Sequence, residues 1–184
     1  MEKLSIKDKV MKNKAYPVIL LTLVVLISIL LLMYINSITK AIITKQKEDK
    51  TLAQLEQIFP DMDNFKFKEE IYIVYRKEDV LGYAFTAAGK GYGGEISTLV
   101  GIDNDYKIKL INVLSNNETP GLGTKIIDES FTGQFKGLGI DELEIKSEGG
   151  KIDAITGATI SSKALTSSVK EALRFNSEII ESSF

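Results

Sequence analysis

The chain has 184 residues with 23 Lys/Arg against 25 Asp/Glu, a net charge of −2, and contains no Cys, His or Trp. That inventory excludes disulfides, thiolate-held iron–sulfur clusters, imidazole–zinc sites and Cys/His nucleophilic catalysis, so any electron transfer must run through an organic cofactor. Residues 1–45 carry a net +5 and residues 46–184 a net −7, and an acidic body argues against a nucleic-acid partner, which needs a basic footprint.

Ala15 to Thr39 holds no charged side chain, and Val18 to Ile35 is almost wholly Leu, Ile and Val. At ~1.5 Å per residue such a run covers the ~30 Å hydrocarbon layer of a bilayer. Tyr16 and Tyr34 stand near its two ends, where an aromatic belt places them. A cleaved signal peptide has a shorter apolar core and a small-x-small site, and Ile35 to Lys40 offers no such site. The run therefore predicts an uncleaved transmembrane helix over residues 16–38. Five lysines precede it (3, 7, 9, 12 and 14) and Lys40, Lys45, Lys47 and Lys50 follow it, so charge alone leaves the orientation open.

Gln46 to Phe59 repeats Leu52, Leu55 and Phe59 at helical spacing before Pro60-Asp61, which predicts a stalk helix continuing the span over residues 39–60. Short β-like runs follow in pairs. Ile71–Tyr75 and Leu81–Thr86 are joined by the turn Arg76–Asp79, and Glu95–Gly101 and Tyr106–Leu114 by Asp103-Asn104-Asp105. Helical patterning returns over Lys125–Phe135 and from Ser161 onward, where Leu165, Val169, Ala172, Leu173 and Ile180 mark one face. The fold class expected is α+β: one N-terminal transmembrane helix, then a mixed α/β domain over residues 61–184 with antiparallel strands.

Three glycine-rich stretches stand out. Gly89-Lys-Gly-Tyr-Gly-Gly94 fits G-x-G-x-x-G, but the strand-like sequel from Glu95 and acids arriving too early argue against a dinucleotide site, leaving a β-turn or a bare backbone for a planar ligand beside Tyr92. Glu118-Thr-Pro-Gly-Leu-Gly123 reads as a strand-to-helix turn with Glu118 and Thr119 at its lip. Asp153-Ala-Ile-Thr-Gly-Ala-Thr159, followed by Ile160-Ser-Ser162, presents hydroxyls where a helix begins; taken alone it reads first as an N-cap cluster and second as a seat for a phosphate. A Ser-Lys dyad at Ser161–Lys163 lacks an evident oxyanion partner.

Together these stretches and the single span resemble the FMN-binding-domain family. Within it they resemble the G subunits of Rnf-type ion-translocating ferredoxin:NAD oxidoreductases, with the C subunits of sodium-pumping NADH:quinone reductases as near relatives. The resemblance implies FMN bonded through its phosphate to the last threonine of the motif, Thr159, by a separate flavin transferase that recognises Asp153, Gly157 and Ala158. It implies further cofactor contacts from Thr156, Ser161 and Ser162 on the phosphate side. Glu118, Thr119, Gly121, Leu122 and Gly123 would border the flavin ring, with Tyr92 and Gly93 approaching from the adjoining loop. It implies no catalytic side chain and no metal. Residues 1–15 would be cytoplasmic, the 61–184 domain would lie outside the cytoplasm of a single-pass inner or plasma membrane protein, and the partners would be other membrane, iron–sulfur and flavin subunits and membrane lipid. The alternatives are the equivalent subunit of the quinone reductase, a membrane-tethered FMN carrier or sensor outside any pump, and a cofactor-free anchoring protein in which the loops are only turns.

Overall fold

The computed structural model describes the backbone of residues 16–183 and the side chains of residues 18–35 and 51–183. The expected cytoplasmic segment, residues 1–15, lies outside the described residues. The chain divides into two units, Met1–Lys50 and Thr51–Phe184, and helix α1 (Tyr16–Ile58) runs through the boundary. In the first unit, Val18–Ile35 has a mean hydropathy of 3.1 and none of it is buried by protein. Branched and leucine side chains exposed on every face of a helix are stable in hydrocarbon and not in water.

The second unit is built on five strands: β1 (Asn64–Lys68), β2 (Ile71–Arg76), β3 (Asp79–Lys90), β4 (Glu95–Ile102) and β5 (Ile108–Ser115). They form one sheet in the order β1-β2-β3-β4-β5, every neighbouring pair antiparallel. Local chemistry sets each reversal. Lys77 N–H donates to Asp63 Oδ2 at 2.8 Å beside the β2–β3 turn. Asp103 Oδ1 accepts from the N–H groups of Asp105 (3.0 Å) and Lys107 (2.9 Å), an aspartate-built turn between β4 and β5. Between β3 and β4, Gly91 N–H donates to Gly94 O at 2.8 Å.

Side chains alternate across the sheet, so each face has its own core. On one face Phe85 and Ala87 of β3, Ile96, Val100 and Ile102 of β4, and Ile108 and Ile111 of β5 pack with Leu165, Val169 and Leu173 of the C-terminal helix. That helix, α3, spans Thr159–Ser183. On the other face Leu55, Ile58 and Phe59 cover Val74, Ala84 and Leu99. Burial of such side chains contributes about 1.5–3 kcal/mol each. Gly89 makes the α3 face possible: a Cβ there would stand 2.8 Å from the Ala164 carbonyl oxygen, so β3 can lie this close to α3 only without a side chain.

Beyond the first turn of α3 its buried polar groups are satisfied within the helix. Thr166 Oγ1 donates to Ser162 O (2.8 Å), Ser168 Oγ to Leu165 O (2.9 Å) and Asn176 Nδ2 to Ala172 O (2.7 Å). Between β5 and α3 the continuous helix expected over 125–135 is broken into a 3-10 turn (Gly123–Ile127), the short helix α2 (Glu129–Thr132) and a second 3-10 turn (Gly133–Phe135). Asp128, extended at φ −68°, ψ 142°, interrupts it, and the pieces are held by insertion of Ile126, Phe131 and Phe135 into the core. Lys163 pairs with Glu148, and Lys170 with Glu144 at 3.0 Å, tying the 144–148 segment to α3.

Candidate cofactor site

The three glycine-rich stretches meet at the first turn of α3. In the third stretch the backbone turns back on itself before the helix: Ala158 N–H donates to Ile155 O at 2.9 Å, and Ser162 N–H to Ala158 O at 3.0 Å. Gly157 stands at φ +80°, in the left-handed region. The Ser162 hydroxyl, fully buried, accepts from Ile155 N–H at 3.0 Å and donates to Ala158 O at 3.0 Å. In the structure this hydroxyl shapes the turn. Thr159 opens α3 and is exposed. The N–H groups of Thr159, Ile160 and Ser161 precede the first i→i−4 bond of the helix and so point outward at its positive end.

The second stretch folds as a compact turn. Thr119 O accepts from the N–H groups of Leu122 and Thr124, both at 3.2 Å, and Gly121, at φ +76°, donates its N–H to Thr124 Oγ1 at 3.0 Å. Glu118, expected at the lip of this turn, is instead only 5% exposed. Its Oε2 accepts from the Ser161 hydroxyl at 2.5 Å, and its Oε1 from Gly93 N–H at 3.1 Å. Asn116, which sequence reasoning does not single out, accepts from Glu118 N–H at 3.2 Å. In the first stretch Gly93 lies against the Asn117 carbonyl, where a Cβ would stand 2.1 Å from the oxygen. The strand β4 that follows removes the dinucleotide fingerprint, which requires a helix there.

Between these turns lies an open cleft of about 460 Å³, within the size range of small-molecule sites. Its walls are Tyr92, Glu118, Thr119, Leu122, Gly123 and the run Gly157–Ser161. Gly93, Gly121, Thr156 and Ser162 do not line it, though each is next in the chain to a residue that does. Ile160 lines it and is missed by sequence reasoning; the available signal is an apolar residue directly after Thr159 that the helical core pattern does not use, and it is 57% exposed. Tyr92 is 73% exposed and Leu122 45%, so two apolar side chains flank a helix N-terminus that offers N–H donors and a hydroxyl. Apolar walls for a planar ring beside an anion seat fit a flavin mononucleotide. Ser161 and Lys163 do not form a catalytic dyad, since Ser161 is bonded to Glu118 and Lys163 to Glu148.

Residues 91–174 match the family model of the FMN-binding domain. Over 143 residues the chain is 38% identical to the G subunit of the proton-translocating ferredoxin:NAD(+) oxidoreductase complex of Clostridium ljungdahlii, covering 76% of this chain and 77% of that one. Over 195 residues it is 31% identical to the G subunit of the ion-translocating oxidoreductase complex of Shewanella loihica, covering 92% and 90%. Among solved structures it is similar to the C subunit of the Na(+)-translocating NADH-quinone reductase from Parabacteroides distasonis, at 25% identity and a TM-score of 0.49 over 56% of this chain and 58% of that one.

Proposed function

This chain belongs to the FMN-binding G-subunit family of ion-translocating ferredoxin:NAD(+) oxidoreductase complexes, and from that premise we propose that it is a membrane-anchored electron-transfer protein of such a complex, with FMN held as a phosphoester on Thr159. The observation that carries the attachment is the position of Thr159. It lines the cleft and opens α3, whereas Thr156, the other threonine of the motif, lies outside the lining. A phosphate at the Thr159 hydroxyl would sit where the helix N–H groups and macrodipole favour negative charge.

Ester formation needs an activated phosphate. Thr159 Oγ1 would attack the flavin-side phosphorus of a flavin dinucleotide, with the P–O–P bond breaking, the nucleoside monophosphate leaving, and the hydroxyl proton passing to solvent or to a base of the transferase. The bound flavin supplies one- and two-electron redox chemistry that this Cys- and His-free chain lacks. The residues of the chain hold and shield it. Leu122 and Ile160 offer apolar contact, Tyr92 an aromatic face, and the Gly157 turn keeps the backbone low beside the phosphate. A tethered cofactor is retained where no free pool replenishes it, which suits a head outside the cytoplasm. That orientation places the N-terminal segment, with five of the nine lysines flanking the apolar run, in the cytoplasm. Electrons would enter from and leave to neighbouring subunits, as befits relatives named as subunits of such complexes.

Co-expression with the flavin transferase followed by denaturing electrophoresis tests the attachment. Flavin fluorescence should migrate with the 20.4 kDa chain and vanish in Thr159→Ala. Fluorescence retained in Thr159→Ala would overturn the assignment.

A further inference from the structure

One buried carboxylate joins all three stretches. Glu118 accepts from Gly93 N–H through Oε1 and from the Ser161 hydroxyl through Oε2, and among the described residues no Lys or Arg is a hydrogen-bond or ion-pair partner to it. Its neighbours are shaped around it. A Cβ on Gly91 would stand 2.0 Å from Glu118 Oε1, and a Cβ on Gly123 would stand 2.7 Å from Oε2. Burying a carboxylate without a cation is costly, and simple packing at this position would be met better by an apolar side chain. What the carboxylate provides is two directed, charge-assisted bonds, one to the β3–β4 turn and one to the first turn of α3, two residues from Thr159.

We propose that Glu118 is a positioning residue for flavin attachment: a strut that locks the first turn of α3 to the Gly91–Gly94 turn, so that the Thr159 hydroxyl meets the cleft in a single orientation. The role rests on Thr159 being the flavin acceptor. It adds to the place of Glu118 in the cleft wall, since each carboxylate oxygen accepts from a protein donor.

The test uses the full-length chain in membranes, with the flavin transferase and its flavin dinucleotide donor, and measures the rate of flavin incorporation against chain concentration. Glu118→Ala and Ser161→Ala should each lower the transfer kcat about tenfold or more, the rate equivalent of a lost charge-assisted hydrogen bond, with KM for the chain little changed. The double variant should be no slower than Glu118→Ala alone, because both changes cut the same link. Before loading, amide hydrogen exchange at Gly93 and Ser162 should quicken in the variants. If Glu118→Ala does not fold, Glu118→Gln decides: it keeps the volume and one acceptor, and should load more slowly than wild type. Wild-type loading in Glu118→Gln and Ser161→Ala, or multiplicative losses in the double variant, would overturn the proposal. A wild-type chain that never loads would instead overturn the Thr159 reading on which it rests.

Discussion

Gly157 faces Leu122 across the cleft: a Cβ on Gly157 would stand 2.9 Å from Leu122 Cδ2, on a backbone at φ +80°. The second and third glycine stretches thus touch through a side chain on one and a bare backbone on the other. Leu122 can swing aside, but the left-handed backbone cannot be escaped. Gly157→Ala should therefore destabilise the head by about 1–2 kcal/mol in denaturant unfolding, the cost of an L-residue in that region. Adding Leu122→Ala should relieve the contact and leave most of that loss in place. Recovery of full stability in the double variant would show that the contact, and not the backbone, is what requires glycine.

At Asp153 recognition can be tested apart from folding. Its carboxylate pairs with Lys146 Nζ at 2.6 Å on the surface, both side chains more than half exposed, while Gln134 holds its backbone through Asp153 N–H→Oε1 at 2.7 Å. Exposed pairs of this kind contribute about 0–1 kcal/mol. Asp153→Asn and Lys146→Ala should both leave the melting temperature nearly unchanged. If the flavin transferase reads the carboxylate, only Asp153→Asn should load flavin slowly; equal loading by both variants and wild type would remove Asp153 from the recognition set.

The hairpins, the aspartate turn at 103–105 and the final amphipathic helix are legible in the sequence because each is written in local chemistry: alternation, Asx turns and a 3.6-residue period. The strand β1 is not. Of its residues only Phe65 is even half-buried, and an edge strand with Lys66 and Lys68 exposed to solvent carries little hydrophobic signal. The end of β3 is hidden for another reason: Gly89 reads as a breaker, yet it pairs with Ile96 because its missing side chain admits α3. At the site, the sequence indicates which stretches matter but not how they interlock. Glu118 sits in a polar loop whose composition says exposed, and it is buried only because Gly91, Gly123 and Ser161, 27, 5 and 43 residues away, converge on it.

A pH dependence should arise away from the cleft, at Glu142. Lys151 Nζ donates to its Oε1 at 2.5 Å and Gly139 N–H to its Oε2 at 3.0 Å, and these bonds, chiefly that from Lys151, lower its pKa from the ordinary 4.5 to about 2. A carboxyl whose folded pKa is depressed contributes stability that is fully present above the unfolded value. That contribution is lost as pH falls from about 4.5 through about 2. Amide protection in the 139–152 segment, corrected for the intrinsic pH dependence of exchange, should fall across that window in the wild-type chain. In Glu142→Gln the profile should be flat there, and an unchanged slope would assign the acid sensitivity to another group.

Two glycines on opposite faces of the sheet should separate stability from site geometry. Gly101 admits Ile58, whose Cγ2 would stand 2.2 Å from an added Cβ, on the face away from α3. Gly89 admits the backbone of α3 itself, and the Ala164 carbonyl at 2.8 Å has less freedom to move than a side chain. Alanine at either position overpacks a core, and the expected loss is about 1–3 kcal/mol in each case. Their effects on the cleft should differ. Gly89 lies two residues before the Gly91–Gly94 turn and is pressed on α3 five residues beyond Thr159, so Gly89→Ala should separate the turn from the helix and strain the link from Gly93 through Glu118 to Ser161. Flavin loading per folded molecule should therefore fall in Gly89→Ala and hold in Gly101→Ala, measured by band fluorescence normalised to the folded fraction. Equal loading by the two would mean that the close approach of β3 to α3 serves the core alone.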